Sequence, residues 1–120
     1  MTTPGGLSIH AVDVARGIPA AGLSVVLFRI DPDPVELARG ACSPDGHFTH
    51  PVTGGEGVIR GRYEVRFGVA AFYRASGADL PDPAFVDEAV FRFGIDRVAE
   101  HFHLPFKFTP WGFSLFRGGA

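Results

Sequence analysis

The chain has 120 residues, which is the size of one domain that can bury a core. Its residues are 46% hydrophobic and 20% charged, ordinary values for a globular protein that argue against disorder. The formal net charge is −2, from 13 acidic and 11 basic side chains, so there is no basic surface of the kind that binds nucleic acid.

Export and membrane insertion are also not expected. The first residues lack the apolar core of a signal peptide, and no apolar run approaches the length that spans a membrane. The single cysteine, Cys42, cannot form an internal disulfide, which fits a reducing compartment. We therefore expect a cytoplasmic protein with no membrane partner and no nucleic-acid partner.

The first half of the chain predicts strands separated by turns. Residues 1–6 are predicted to be a flexible leader before a single domain over residues 7–120. Sixteen glycines, ten prolines and twelve phenylalanines favour many short strands. The segment SPDG at 43–46 has the proline and glycine positions of a β-turn. Around it we predict strands at Leu7–Asp13, Leu23–Ile30 and 47–50, and a weaker edge strand at Glu36–Cys42, with residues 15–21 as a connection.

The second half contains the one predicted helix. Gly61–Val69 alternates like a strand, whereas the next residues, Ala70–Ser76, tolerate a helix that Gly77 can cap. Strands are predicted again at Val86–Asp96 and in the last two apolar runs. About eight strands and one short helix are typical of an all-β, two-sheet sandwich.

The closing segment, 101–120, carries a polar face. Side chains alternate along a strand, so His103 and Lys107 share one side while Phe102, Leu104 and Phe106 lie on the other. After the turn at Trp111, the same polar side continues through Ser114, Phe116 and Gly118. Such a face is either solvent-exposed or part of a site.

Four segments in order give the chain a family resemblance. It resembles the transthyretin superfamily, and specifically its enzymatic branch, the 5-hydroxyisourate hydrolases, from Leu7 to Gly118. The segments that carry it are LSIHAVDVARGIPAAGLSVVLF, SPDGH, GRYEVRFGVAAFYRASG and HFHLPFKFTPWGFSLFRGG. They are similar to the family's N-terminal signature, its DGR turn, its strand that leads into the single helix, and its closing signature.

The resemblance implies a fold, an assembly and an activity. It implies an eight-stranded transthyretin-like sandwich, a homotetramer built as a dimer of dimers, and active sites in a channel between the dimers. The family enzymes hydrolyse the lactam ring of 5-hydroxyisourate, a product of urate oxidation, without a metal or an organic cofactor. By position, the two family histidines are His10 and His103, and the terminal signature contributes Arg117 and Gly118.

The chain departs from the family pattern at several site positions. His47 stands where the family has the arginine of DGR, Phe116 replaces a tyrosine, and Gly119 replaces a serine. Lys107 stands where the family has a leucine. Neither histidine nor lysine reproduces the planar, forked donor of arginine. Either Lys107 compensates for the lost arginine, or the pocket accepts another substrate.

These residues suit a hydrolytic reaction. A histidine can act as general base and acid near neutral pH, and a cation or hydroxyl can stabilise a developing oxyanion. We predict His10 and His103 to be catalytic. The predicted substrate-binding residues are His47, Lys107, Ser114, Phe116, Arg117 and Gly118.

Other functions remain open at this point. One is a related reaction on a different cyclic amide or imine in a biosynthetic pathway, which the changed residues favour. Another is a non-catalytic small-molecule binder, which has no need of both His10 and His103. A zinc site on these two residues and His47 is a further hypothesis, because three histidines can bind Zn²⁺, but their spacing does not demand it.

Overall fold

The computed structural model describes residues 5–54 and 58–119 and shows two packed sheets with one short helix. Nine strands are present in these ranges, two of which have only two residues. The strands are β1 (Leu7–Asp13), β2 (Ile18–Pro19), β3 (Ser24–Arg29), β4 (Val35–Ala41), β5 (His47–Phe48), β6 (Gly61–Phe67), β7 (Ala89–Ile95), β8 (Phe102–Thr109) and β9 (Gly112–Leu115), and the helix is α1 (Val69–Ala75). The predicted two-sheet sandwich is confirmed.

The first sheet is built around a parallel pair. Its order is β2-β1-β8-β9, and β5 pairs with β1 beside β2. Strands β1 and β8 are parallel in a register that sets Leu7 opposite Phe102 and Asp13 opposite Phe108. In both strands alternate side chains are buried, so the register fixes which side chains share the outer face.

The second sheet is antiparallel and supplies the other half of the core. Its order is β4-β3-β6-β7, which places β4 at an edge as predicted. Aromatic rings join the two sheets: Phe67 of β6 stacks on Phe106 of β8 with ring centroids 4.0 Å apart. No helix in the described ranges is long and apolar enough to cross a membrane.

A buried carboxylate ties the helix to the first sheet. Asp13, at the end of β1, is fully buried. The Tyr73 hydroxyl of α1 donates to it at 2.6 Å, and Arg16 Nε donates at 2.5 Å. Burial alone would raise the pKa of Asp13, but the hydrogen bonds from Tyr73 and Arg16 outweigh it and lower that pKa. The charged carboxylate therefore fastens α1 over the end of β1.

Several strands begin or end at other residues than predicted, because of the hydrogen bonds that their backbones make. The predicted connection contains β2, because Ile18 and Pro19 pair with the end of β1. The strand predicted over Val86–Asp96 begins at Ala89, since the Asp87 carbonyl instead accepts from Ala70 N of the helix. The predicted strand at 47–50 is only two residues long, because His50 caps a short 3-10 turn at Pro51–Thr53.

The ends of the described ranges bear on two other predictions. Residues 1–4 of the predicted leader, and Ala120 at the end of the predicted domain, lie outside the described residues. Gly5 N donates to the Val98 carbonyl, and Phe102 N donates to the Gly6 carbonyl.

The helix covers Val69–Ala75, one residue earlier than predicted.

The predicted SPDG turn is present and closes against β1. Gly46 N donates to the Ser43 carbonyl at 2.8 Å, and Ala11 N donates to the Gly46 carbonyl at 2.8 Å. Gly46 has φ +84°, and a Cβ atom there would lie 2.4 Å from the Ala11 carbonyl oxygen. Only glycine provides both this backbone conformation and this close approach. The turn thereby sets the position of His47, the next residue.

We expect Gly46→Ala to destabilise the protein more than Gly22→Ala. Both glycines have φ +84°, but a Cβ atom at Gly22 meets nothing within 4 Å. Each substitution costs about 1–2 kcal/mol for the left-handed backbone, and only Gly46→Ala adds the clash, roughly 1 kcal/mol or more. Chemical denaturation of both variants measures the difference; equal losses would show that close packing at Gly46 does not matter.

Candidate active site

Most of the predicted site residues lie on the outer face of the first sheet. The parallel pairing sets Ser8 opposite His103, His10 opposite Pro105 and Val12 opposite Lys107. Residues directly opposite one another point to the same face of a sheet. The antiparallel pairs His10 with His47 and Lys107 with Ser114 extend the same face. The fold thus brings together His10, His47, His103, Lys107 and Ser114.

His10 is fixed by the glycine turn and by His47. Its Nε2 donates to the Asp45 carbonyl oxygen at 2.9 Å, because a carbonyl oxygen can only accept. The His10 and His47 rings stack with centroids 4.4 Å apart and an interplanar angle of 27°. In its neutral form His10 therefore has its lone pair on Nδ1. His47, which replaces the family arginine, lies directly against a predicted catalytic residue.

His103 is held from both sides. Ser8 Oγ lies 2.7 Å from His103 Nδ1. On the other side, Gly118 N donates to the His103 carbonyl at 2.7 Å, and a Cβ atom at Gly118 would lie 3.0 Å from His103 Cδ2. A side chain at Gly118 would crowd the imidazole and the Pro105 ring, which lies 3.1 Å from the same position. The glycine of the terminal signature therefore gives the ring of His103 its room.

The surroundings of His103 favour its neutral form. Burial disfavours the charged imidazolium, and the nearby His101, His10 and His47 disfavour it further when they are charged. Together these effects lower the pKa of His103 below its ordinary value of 6.5. At neutral pH His103 is therefore available to accept a proton.

Lys107 and Ser114 form an open, cationic edge of this face. Both side chains are exposed in the single chain. Lys107 is the one lysine in the sequence, and within residues 5–54 and 58–119 it makes no ion pair. An ammonium with no carboxylate partner is available to a polar or anionic ligand.

The terminal residues have different surroundings. Phe116 is 47% exposed and follows Ser114 along the outer face. The Arg117 side chain instead donates to Glu100 at 3.2 Å and to the His101 carbonyl at 3.3 Å, and it stacks over the Phe102 ring. In the single chain Arg117 fastens the terminal segment to the start of β8, and its role toward a substrate stays a prediction.

Two side chains that were not among the predicted site residues join this face. Ser8 and His101 form a hydrogen-bonded series with His103, in which Ser8 Oγ is also 2.7 Å from His101 Nε2. The signal that could have identified Ser8 is its position two residues before His10, which places both on one face of β1.

Among the described residues, neither a metal site on the three histidines nor a reactive thiol at Cys42 is found. In the part of the chain that the structure describes, no three His, Cys, Asp or Glu side chains are grouped to hold a metal ion. The hypothesis of a zinc site on the three histidines thus has no support from the geometry. Burial raises the pKa of the Cys42 thiol to about 11, so this residue is an inert thiol at neutral pH.

Comparison with known proteins agrees with this architecture. Residues 7–118 match the model of the HIUase/Transthyretin family. The 5-hydroxyisourate hydrolase of Pseudomonas aeruginosa is 38% identical over 115 residues, covering 95% of this chain and 91% of the relative.

Solved structures extend the comparison. The 5-hydroxyisourate hydrolase of Klebsiella pneumoniae superimposes with a TM-score of 0.78 at 29% identity, covering 99% of this chain and 100% of that one. An (S)-allantoin synthase superimposes with a TM-score of 0.90 at 29% identity; the match covers 98% of this chain but only 45% of that one. Because the family model covers nearly all of the sequence, the chain belongs to the HIUase/Transthyretin family.

Proposed function

We propose that this chain hydrolyses the lactam ring of 5-hydroxyisourate. The observation that carries the proposal is the position of His10 and His103 on one face of the paired strands β1 and β8. Relatives named for this activity are 38% identical over most of the chain. A protein that only bound a ligand would not need two imidazoles held in defined orientations.

In the proposed reaction His103 is the general base. Its neutral form is favoured by burial, and a base must be unprotonated to accept a proton. His103 takes a proton from water while the water oxygen bonds to the lactam carbonyl carbon. The C–N bond then breaks, and a proton returns to the departing nitrogen from the imidazolium of His103 or through His10. The products are a carboxylic acid, which ionises to a carboxylate by releasing its proton to solvent, and an N–H group on the departing nitrogen, so atoms and charge balance.

Substrate oxygens would be held by the other polar groups of the face. Lys107, Ser114 and His47 are the candidate donors, and Lys107 is the strongest because it carries a charge. Donors aimed at the developing oxyanion stabilise the transition state, and loss of one can cost about 10²-fold in rate. Phe116 and Gly118 would shape the apolar wall, and Arg117 would hold the terminal segment beside them.

The site is proposed to be completed by assembly into a homotetramer. In the single chain Lys107 and Ser114 are exposed, and the closing hairpin leaves Trp111, Phe113 and Phe116 between 46% and 59% exposed. Exposed aromatic rings are enriched on surfaces that another chain covers. A second copy over this face would exclude water from the imidazoles. A cytoplasmic location, like the tetramer, stays a prediction.

A second candidate function rests on the same face. His47, Phe116 and Lys107 replace family residues, and together they remove an arginine and a phenol while adding an ammonium. A site whose donors no longer match a substrate rejects it strongly, since polar groups are left unpaired. The alternative is therefore hydrolysis of another cyclic amide or imine by the same histidines.

Replacing His10 or His103 by Ala should lower kcat for 5-hydroxyisourate by roughly 10²–10⁴-fold. The expected cause is loss of proton transfer, so the circular dichroism spectrum should be unchanged. Arg39→Ala is the control, because Arg39 is an exposed residue of β4 in the second sheet that pairs with Glu36. Full activity in both site variants would place the chemistry elsewhere.

The pH dependence should report the lowered pKa of His103. Because the pKa of His103 is lowered, kcat/KM should decline toward acidic pH with a midpoint below 6.5, the ordinary value, as His103 becomes protonated. Initial rates from pH 5 to 8 at constant ionic strength measure this. A decline centred above pH 6.5 would contradict His103 as the base.

Variants at positions 47 and 107 should separate the two candidate functions. If Lys107 compensates for the missing arginine, Lys107→Ala should lower the hydrolysis of 5-hydroxyisourate about 10²-fold, and His47→Arg should change it little. Ultraviolet absorbance of freshly generated 5-hydroxyisourate measures both. Weak wild-type activity that His47→Arg increases would favour the alternative substrate.

The protein should be a tetramer in solution at micromolar concentration. Size-exclusion chromatography with light scattering should give four times the chain mass of 12.8 kDa. Trp111→Ser should weaken the assembly, since Trp111 is 59% exposed in the single chain. A wild-type mass of one chain would overturn the composite site.

A further inference from the structure

The hydrogen-bonded series behind His103 has a defined direction. His101 Nδ1 faces the Gly5 carbonyl oxygen, which can only accept, so this nitrogen carries a proton. In a neutral imidazole the other nitrogen, Nε2, is then an acceptor. Ser8 Oγ lies 2.7 Å from it, so the single hydroxyl proton of Ser8 is donated to His101.

That direction determines the tautomer of His103. Because the Ser8 proton is already donated to His101, Ser8 Oγ must act as acceptor toward His103 Nδ1, which lies 2.7 Å away. Neutral His103 therefore carries its proton on Nδ1, and its lone pair is on Nε2. The tautomer of an imidazole is set by the hydrogen bond that its other nitrogen makes.

We propose that Ser8 and His101 are positioning residues that hold His103 in the Nδ1–H tautomer and so present an unprotonated Nε2 to the reacting water. The proposal rests on the proposed function, in which His103 is the general base. When Nε2 accepts the proton of water, the Nδ1–H bond to Ser8 stays in place. The hydroxide oxygen bonds to the substrate carbonyl carbon, and the proton on Nε2 is then available to the leaving nitrogen.

Other groups around the series do not replace this role. The titratable and charged side chains around it are His10 on β1, His47 on β5 and Lys107 on β8, His50 in the cleft that Ser8 and His101 line, and Glu100 and Arg117 beside the start of β8. Arg117 donates to the His101 backbone carbonyl at 3.3 Å, which leaves the imidazole nitrogens of His101 to Gly5 and Ser8. No carboxylate in the described ranges hydrogen-bonds to His103, so the hydroxyl of Ser8 takes the place that a carboxylate holds in many catalytic triads.

The test combines nitrogen-15 NMR of the histidines with the kinetics of three variants. In the wild type, His103 should show a protonated Nδ1 and an unprotonated Nε2 at pH 7.5. Ser8→Ala should mix the two tautomers and lower kcat roughly 10- to 100-fold with KM within about twofold, less than the loss on removing the imidazole. Ser8→Thr keeps the hydroxyl and should restore both the Nδ1–H tautomer of His103 and kcat. His101→Phe should act like Ser8→Ala.

The outcomes distinguish this proposal from the proposed function. An Nε2–H tautomer in the wild type, or an unchanged tautomer and kcat in Ser8→Ala, would overturn the positioning role. Failure of Ser8→Thr to recover would overturn it as well, because a merely steric role would then explain the loss. If the wild type does not hydrolyse 5-hydroxyisourate, the proposed function fails, and the NMR spectra still decide whether Ser8 and His101 set the tautomer.

Discussion

The parallel pairing of β1 with β8 is the constraint on which both the core and the candidate site depend. Its register buries Leu7, Ile9 and Ala11 of β1 against the second sheet and leaves the alternate residues, His10 among them, on the outer face. A slip by one residue would turn the apolar side chains out and the imidazoles in. Hydrophobic burial, the largest favourable term in folding, therefore also sets the position of the histidines.

Around this pair, His10, His101 and His103 are each held by a hydrogen bond whose direction follows from its partners. Backbone carbonyls accept from His10 and His101, and the Ser8 hydroxyl lies between His101 and His103. If His103 is the base, as proposed, these bonds set its tautomer without placing a negative charge beside it. A carboxylate in that position would raise the pKa of His103, whereas burial lowers it. The arrangement favours a base that stays neutral at physiological pH.

The sequence predicts the sandwich and the shared face of the site, but not the contacts that orient it. Alternation along β1 and along β8 predicts that His10 and His103 each point away from the core, and the pairing of the two strands then sets them on one face. The bonds from Ser8 to His101 and His103 depend on the β1–β8 register, which no local pattern encodes. Likewise, the Asp87 carbonyl bonds to the helix instead of a strand, so β7 starts later than its apolar pattern indicates. The hydrogen bond from Arg117 to Glu100 could not be predicted from local sequence either, because the fold brings these two distant residues together.

The most direct test of the account is the enzyme-dependent transfer of a water oxygen to the product. Freshly generated 5-hydroxyisourate is mixed with the wild-type protein in H₂¹⁸O, and the product is analysed by mass spectrometry before spontaneous decay contributes. Hydrolysis by activated water predicts product formation proportional to protein concentration, with one ¹⁸O atom in the new carboxylate. Formation at the spontaneous rate, or a protein-dependent product without the label, would contradict it.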